Sequence, residues 1–225
     1  MRQTTKTLAV AVLAVAACWT STSQAAFVSY PRALEVQLNR ISFEKPALAP
    51  MAHTVFCLRY KNDCEVRGGN FRKHNMEMTV DRLNELNSVN RQVNRDIIPQ
   101  VYSGNLVDEP WIVSPAAGDC NDFAVTKRHE LLAQGWPSRA LLLSEVVVAD
   151  GEHHLVLVVG MKDPNHAERA VDLVLDNLNY NLRPIQQTPY RWVRMESPDN
   201  PKFWSAVSVP SSSHPATLAD KGTLS

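Results

Sequence analysis

The chain has 225 residues, 44% of them hydrophobic and 20% charged, and its formal charge is zero. That length suits one domain with appendages and a real core; the composition is too apolar for a disordered chain and too polar for a multispan membrane protein. No basic run offsets the even charge, so there is no electrostatic footprint for nucleic acid.

Arg2 and Lys6 precede an apolar run from Leu8 to Cys18, followed by a Ser23-x-Ala25 small-residue pair. This order predicts a secretory signal over 1–25, cleaved after Ala25, and a periplasmic or secreted mature protein. The run is short for a membrane span. Val15-Ala16-Ala17-Cys18 also resembles a lipoprotein processing box, which keeps anchoring at Cys18 as the alternative. Removing the signal leaves a net charge of −2.

Export changes how the remaining cysteines read. Cys57 and Cys64 flank six residues in a turn-rich stretch, a spacing that suits a local disulfide in an oxidising compartment. A zinc reading would recruit His53 and His74, but the spacings match no zinc pattern. Cys120 is then unpaired, and is either buried and inert or a reactive thiol.

Residues 26–75 read as an N-terminal extension: an irregular lead-in with three prolines to Pro50, then the cysteine loop and Gly68-Gly69. Val80, Leu83, Leu86, Val89, Val93 and Ile97 recur every three or four residues, predicting an amphipathic helix capped by Thr79 and ended before Pro99. A loop holding Asp108 and Trp111 leads to Cys120. A second helix starts there and stops at Gly135, with Lys127, Arg128 and His129 taken as a solvated face. Four Val- and Leu-rich runs follow, 140–148, 154–159, 170–175 and 190–195, separated by turn words. They predict an antiparallel meander. The fold class is α+β, with N-terminal helices packed on an antiparallel sheet, a catalytic-type domain over 76–208 and a flexible tail over 209–225.

Cys120 falls at a helix N-terminus, where free N–H groups favour thiolate and suit an oxyanion. His154 begins one strand and Asp176 ends the next, so antiparallel pairing brings imidazole and carboxylate to one sheet edge. Cys, His and Asp in that order supply a nucleophile, a base and a group that orients the base.

The words GDCNDFAVTKRHELLAQGWPSRALLL, GEHHLVLVV, LVLDNL and TPYRWVR resemble the bacterial transglutaminase-like cysteine proteinase family, which includes LapG-type periplasmic proteases that cut surface adhesins. The resemblance runs from about Leu83 to Trp204; residues 27–64 lie outside what matches that branch. It implies a papain-like, transglutaminase-type core. Carried onto this sequence, it implies Cys120 as nucleophile, His154 as base and Asp176 as third member, with Asp172 the rival carboxylate. His153 would point to the opposite face.

The LapG-type branch also implies calcium near the nucleophile. Asp119, Asn121 and Asp122 match its ligand word, with Asn121 replacing an acidic residue, which lowers the charge offered to Ca²⁺. Without metal, Asp119 and Asp122 would simply complement the helix end. Asp108 and Trp111 loosely match an upstream word and would brace the cleft. Glu152 reads as surface charge, and Trp192 as packing, with Arg194 on the same strand. The resemblance implies a protein substrate, commonly an adhesin, and a membrane-bound regulator. Transamidation by the same three residues, and a catalytically silent secreted binding module, are the other function classes this pattern permits.

Overall fold

Strands β5 (Leu141–Val147) and β6 (His153–Lys162) are apolar along nearly their whole length because both their faces are covered. Leu141, Leu143, Leu155, Leu157 and Val159 pack into one cluster with the helices. The residues between them, Leu142, Val146, Val156 and Val158, join a second cluster with Val174, Ile185, Met195 and Val207. A sheet with one wet face would alternate apolar and polar instead. These contacts come from a computed structural model that describes residues 41–67, 76–102, 109–162 and 170–209. The predicted signal with Cys18, the Gly68-Gly69 turn, His74, Asp108, the turn at 163–165 and the tail beyond 209 lie outside the described residues. Among the described residues no helix is long and apolar enough to cross a membrane.

The main sheet runs β1 (Ser42–Ala47), β10 (Asn200–Ser208), β9 (Arg191–Ser197), β5, β6, β7 (Ala170–Leu175) and β8 (Arg183–Pro184), every neighbour antiparallel. A two-residue strand, β2 (Met76–Glu77), adds in parallel to β6. The sheet is therefore not the simple meander the turn spacing predicted. β8 ends at Pro184, which lacks the N–H to extend a ladder, and the chain then crosses to pair β9 with the free edge of β5. Trp204 sits buried in the middle of β10.

Residues 42–64, predicted as part of an extension ahead of the core, are built into it. β1 adds to β10, and α1 (Met51–Arg59) buries Ala52, His53 and Phe56. Cys57 and Cys64 are joined, with Cα atoms 5.5 Å apart. His53 lies 3.6 Å from the Cys57 sulfur, but the disulfide leaves no thiolate pair for the zinc alternative. Buried Glu196 of β9 explains why this segment docks. It accepts from His53 Nε2 at 3.0 Å and from Leu143 N at 2.9 Å, and its Oε2 lies 3.5 Å from Arg128 Nε.

Helix α2 spans Val80–Asp96, and the Thr79 hydroxyl accepts from Arg82 N–H as its cap. Helix α3 spans Cys120–Ala133. It ends in the glycine motif predicted from Gly135: φ is +89° there, Gly135 N–H donates to Leu132 O, and Trp136 N–H donates to Leu131 O. The Lys127-Arg128-His129 face is solvated only at His129, whose side chain is 43% exposed. Lys127 and Arg128 are wholly buried between α3 and the sheet, and His129 Nδ1 lies 2.8 Å from buried Asp63. Arg128 is sustained there by Glu196 and by the carbonyls of Leu141 and Asp63.

Candidate active site

Two short parallel strands, β3 (Ile98–Pro99) and β4 (Ala117–Gly118), tie the end of α2 to the start of α3 and so fix the place of Cys120. Asp119 is the N-cap. Its carboxylate accepts from Asn121 N–H at 2.9 Å, while Asp122 reaches back to Asp119 N–H at 3.3 Å, completing a capping box. The other Asp122 oxygen accepts from Ile112 N–H at 2.7 Å. Gly118 is required by this arrangement, because a Cβ there would fall 2.3 Å from Asp122 Oδ2.

The Cys120 thiol is half-buried and receives a hydrogen bond from the backbone N–H of Leu155, the residue after His154. The structure departs here from the thiolate predicted at a helix start. Burial pushes the thiol up to about 12, the Leu155 N–H opposes this, and the carboxylates of Asp119, Glu109 and Asp176 push the same way as burial. Desolvation and three negative neighbours outweigh the helix end.

The β6/β7 register ends at the Leu157–Leu175 pair, so Asp176 lies just past it, level with the start of β6. His154 Nε2 donates to Asp176 Oδ1 at 2.9 Å, and both side chains are buried. That leaves Nδ1 as the imidazole's other nitrogen. His153 is exposed and pairs with Glu145 rather than with neighbouring Glu152. Asp172 lies within β7 opposite Gly160, and the bond from His154 goes to Asp176.

Sequence reasoning missed several contributors. Tyr190, just before β9, donates its hydroxyl to Asp176 Oδ2, and Leu178 N–H donates to Oδ1 at 3.0 Å. Burial pushes the Asp176 carboxyl up, but the bonds from His154, Tyr190 and Leu178 outweigh it and the net shift is downward. Asn94 of α2 donates to the Asp176 carbonyl at 2.8 Å, and Asn90 donates to Asn179 O at 3.1 Å. The helix predicted only to pack thus also holds the Asp176 loop. Trp111 lies in the core against His53 and Phe56.

Glu109 is the other omission, although its neighbour Asp108 was singled out. Its carboxyl hydrogen-bonds that of Asp119 and accepts from Asn121 Nδ2 at 2.9 Å. Burial pushes Glu109 up to about 8, reinforced by Asp119 and Asp122, and burial raises Asp122 to about 6. Two carboxyl groups in contact hold a proton or a cation between them.

Lys127 lies two turns after Cys120 on α3, its Nζ buried with no hydrogen-bond partner and 5.8 Å from the Phe123 ring centre. Burial pushes the amine down to about 7, with the Asp176 carboxylate opposing. The unfolded amine binds its proton up to about pH 10.4, so between about 7 and 10 the unfolded state holds more protons and stability rises with pH. Lys127→Met is expected to be more stable than the parent by roughly 2–4 kcal/mol at pH 7. Melting curves should show that gap narrowing as pH rises towards 10; a constant gap would assign the gain to packing alone.

The family model of bacterial transglutaminase-like cysteine proteinases matches residues 43–212. Among solved structures, Legionella pneumophila LapG is 23% identical, with 53% of this chain and 65% of that chain covered and a TM-score of 0.41. Its calcium-bound form is 24% identical, with 58% and 71% covered and a TM-score of 0.44. The chain thus spans just under two thirds of the first of these. No curated protein matches the sequence.

Proposed function

The chain belongs to the bacterial transglutaminase-like cysteine proteinase family, and we propose that it is a cysteine peptidase whose chemistry is carried by Cys120, His154 and Asp176. The observation that carries this reading is the meeting of α3 and β6: the Cys120 thiol accepts from Leu155 N–H, beside a His154 already bonded to Asp176. A thiol pushed up to about 12 does not rest as a free thiolate, so its proton passes to His154 as Sγ attacks the peptide carbonyl. The imidazolium, stabilised by Asp176, returns that proton to the leaving amine and a thioester remains. His154 then takes a proton from water, whose oxygen attacks the thioester; the carboxylic acid leaves and Cys120 recovers its proton.

The family resemblance and the leader-like N-terminus support an exported, periplasmic enzyme that cuts a protein substrate such as a surface adhesin, under a membrane-bound regulator. The same resemblance supports calcium, and the donor chemistry fits. Glu109 and Asp119 bring two carboxyls into contact, while Asn121 presents its amide N–H to Glu109 and would have to turn to offer its neutral oxygen. Asp122 contributes charge rather than an open position, since both its oxygens already accept backbone N–H groups. These residues would hold the ion, whose charge would offset the carboxylates that raise the Cys120 thiol.

Iodoacetamide alkylation of Cys120 between about pH 4 and pH 9 tests the arrangement. With the thiol held up by burial and its carboxylate neighbours, alkylation is expected to climb without a plateau across this range and to be faster at each pH in calcium than in chelator. His154→Ala should slow it in both. A rate that rises only near an ordinary thiol pKa of about 8.5, unchanged by the mutation, would sink the Cys120–His154 pairing.

A further inference from the structure

We propose that Tyr190 is a positioning residue of this peptidase: its hydroxyl clamps the Asp176 oxygen that His154 leaves open, and its ring walls the imidazole. The inference rests on the Cys120–His154–Asp176 reading and adds a fourth member to it. Asp176 Oδ1 is filled by His154 Nε2 and Leu178 N–H, and Oδ2 by the Tyr190 hydroxyl. A carboxylate held at one oxygen only can turn about its Cβ–Cγ bond and carry the imidazole out of line. With donors on both oxygens, Asp176 keeps one orientation and so does the ring bonded to it.

The ring of Tyr190 adds a second constraint. Its centre lies 5.9 Å from that of His154, with the planes inclined by 59°. The side chain packs against the second apolar cluster, which includes Val156, two residues on from His154 in β6, and Val146, opposite His154 in β5. Packing alone would be served by phenylalanine. A half-buried phenol needs a partner for its O–H, and here the partner is the carboxylate that orients the base. The crossing of β9 to pair with β5 delivers this residue to the edge formed by β6 and β7. The groups facing Asp176 are His154 from β6, Lys127 and Cys120 from α3, and Tyr190 itself, with Arg183 bearing on Tyr190.

Tyr190→Phe keeps the ring and removes only the donor. Without that donor the Asp176 carboxyl moves up towards its ordinary value, so the ionised form is lost at higher pH. With p-nitrophenyl esters as acyl donors, kcat is expected to fall about tenfold while KM changes less than about twofold. The acid limb of kcat/KM should move up by about half a pH unit or more. Tyr190→Ala should lose further activity because the wall beside His154 goes as well. Parental kcat and an unmoved acid limb in Tyr190→Phe would overturn the proposal, as would a loss confined to KM, which would place Tyr190 against substrate instead. His154→Ala run alongside separates the two readings: if it stays active the triad itself is wrong, and if it is dead while Tyr190→Phe is normal only the role of Tyr190 falls.

Discussion

Cys120→Ser is expected to lower kcat/KM for ester and peptide cleavage by roughly 10³–10⁵-fold, the largest loss from any single side chain here. The hydroxyl is a far weaker nucleophile than the thiol, and its proton is harder to pass to His154. His154→Ala should cost nearly as much, and the double variant little more, because the two act as one unit in the same proton transfer. Asp176→Asn should fall less steeply, since Leu178 N–H and Tyr190 still meet that side chain. Release of p-nitrophenol from activated esters reads these losses without the natural cleavage site. Product mass then identifies the acceptor: p-nitrophenol leaves either way, and the acyl product is the free acid after hydrolysis or an amide after transfer to an added amine. Retention of full activity by Cys120→Ser would remove the thiol from the mechanism altogether.

The local parts of the fold were legible because their signals are local. Thr79 before a three-to-four repeat and Gly135 after Leu132 are terminus chemistry, and both helices end within a residue or two of where those signals stand. The sheet order was not legible. Nothing in the word TPYRWVR states that β9 leaves the β8 edge to pair with β5, because strand choice depends on which edge is free and what it buries. Residues 42–64 were misplaced for a related reason. Prolines and a cysteine loop read as irregular chain, yet their attachment runs through His53 and a glutamate 143 residues away.

The site divides along the same line. His154 and Asp176 could be paired on paper because adjacent antiparallel strands bring a start beside an end, and the structure joins them at 2.9 Å. Asn94 reaches the site from 82 residues away, and Tyr190 and Glu109 enter from irregular segments 14 and 12 residues from their partners, so helix or strand periodicity carries no trace of them. The state of the thiol was also beyond reach. A helix N-terminus is visible in sequence, but the burial and the three carboxylates that outweigh it appear only once α3 lies against β6.

Glu196→Ala is expected to destabilise the protein by about 3–5 kcal/mol, seen as a fall in melting temperature of roughly 10 °C. The carboxylate is wholly buried and serves three donors from three segments: His53 of α1, Leu143 of β5 and Arg128 of α3. Removing it leaves a backbone N–H without a partner and a guanidinium buried without its counterion, and both penalties are paid in low dielectric. Glu145→Ala is the control. Glu145 pairs with Arg194 and with exposed His153 near the sheet surface, where solvent still reaches the pair, so its loss should cost less than that of wholly buried Glu196. Glu196→Gln should fall between the two, because an amide can still accept but brings no charge to Arg128. If Glu196→Ala costs no more than Glu145→Ala, the carbonyls of Leu141 and Asp63 must suffice to hold Arg128, and the N-terminal segment would dock through the packing of Phe56 and Trp111 instead.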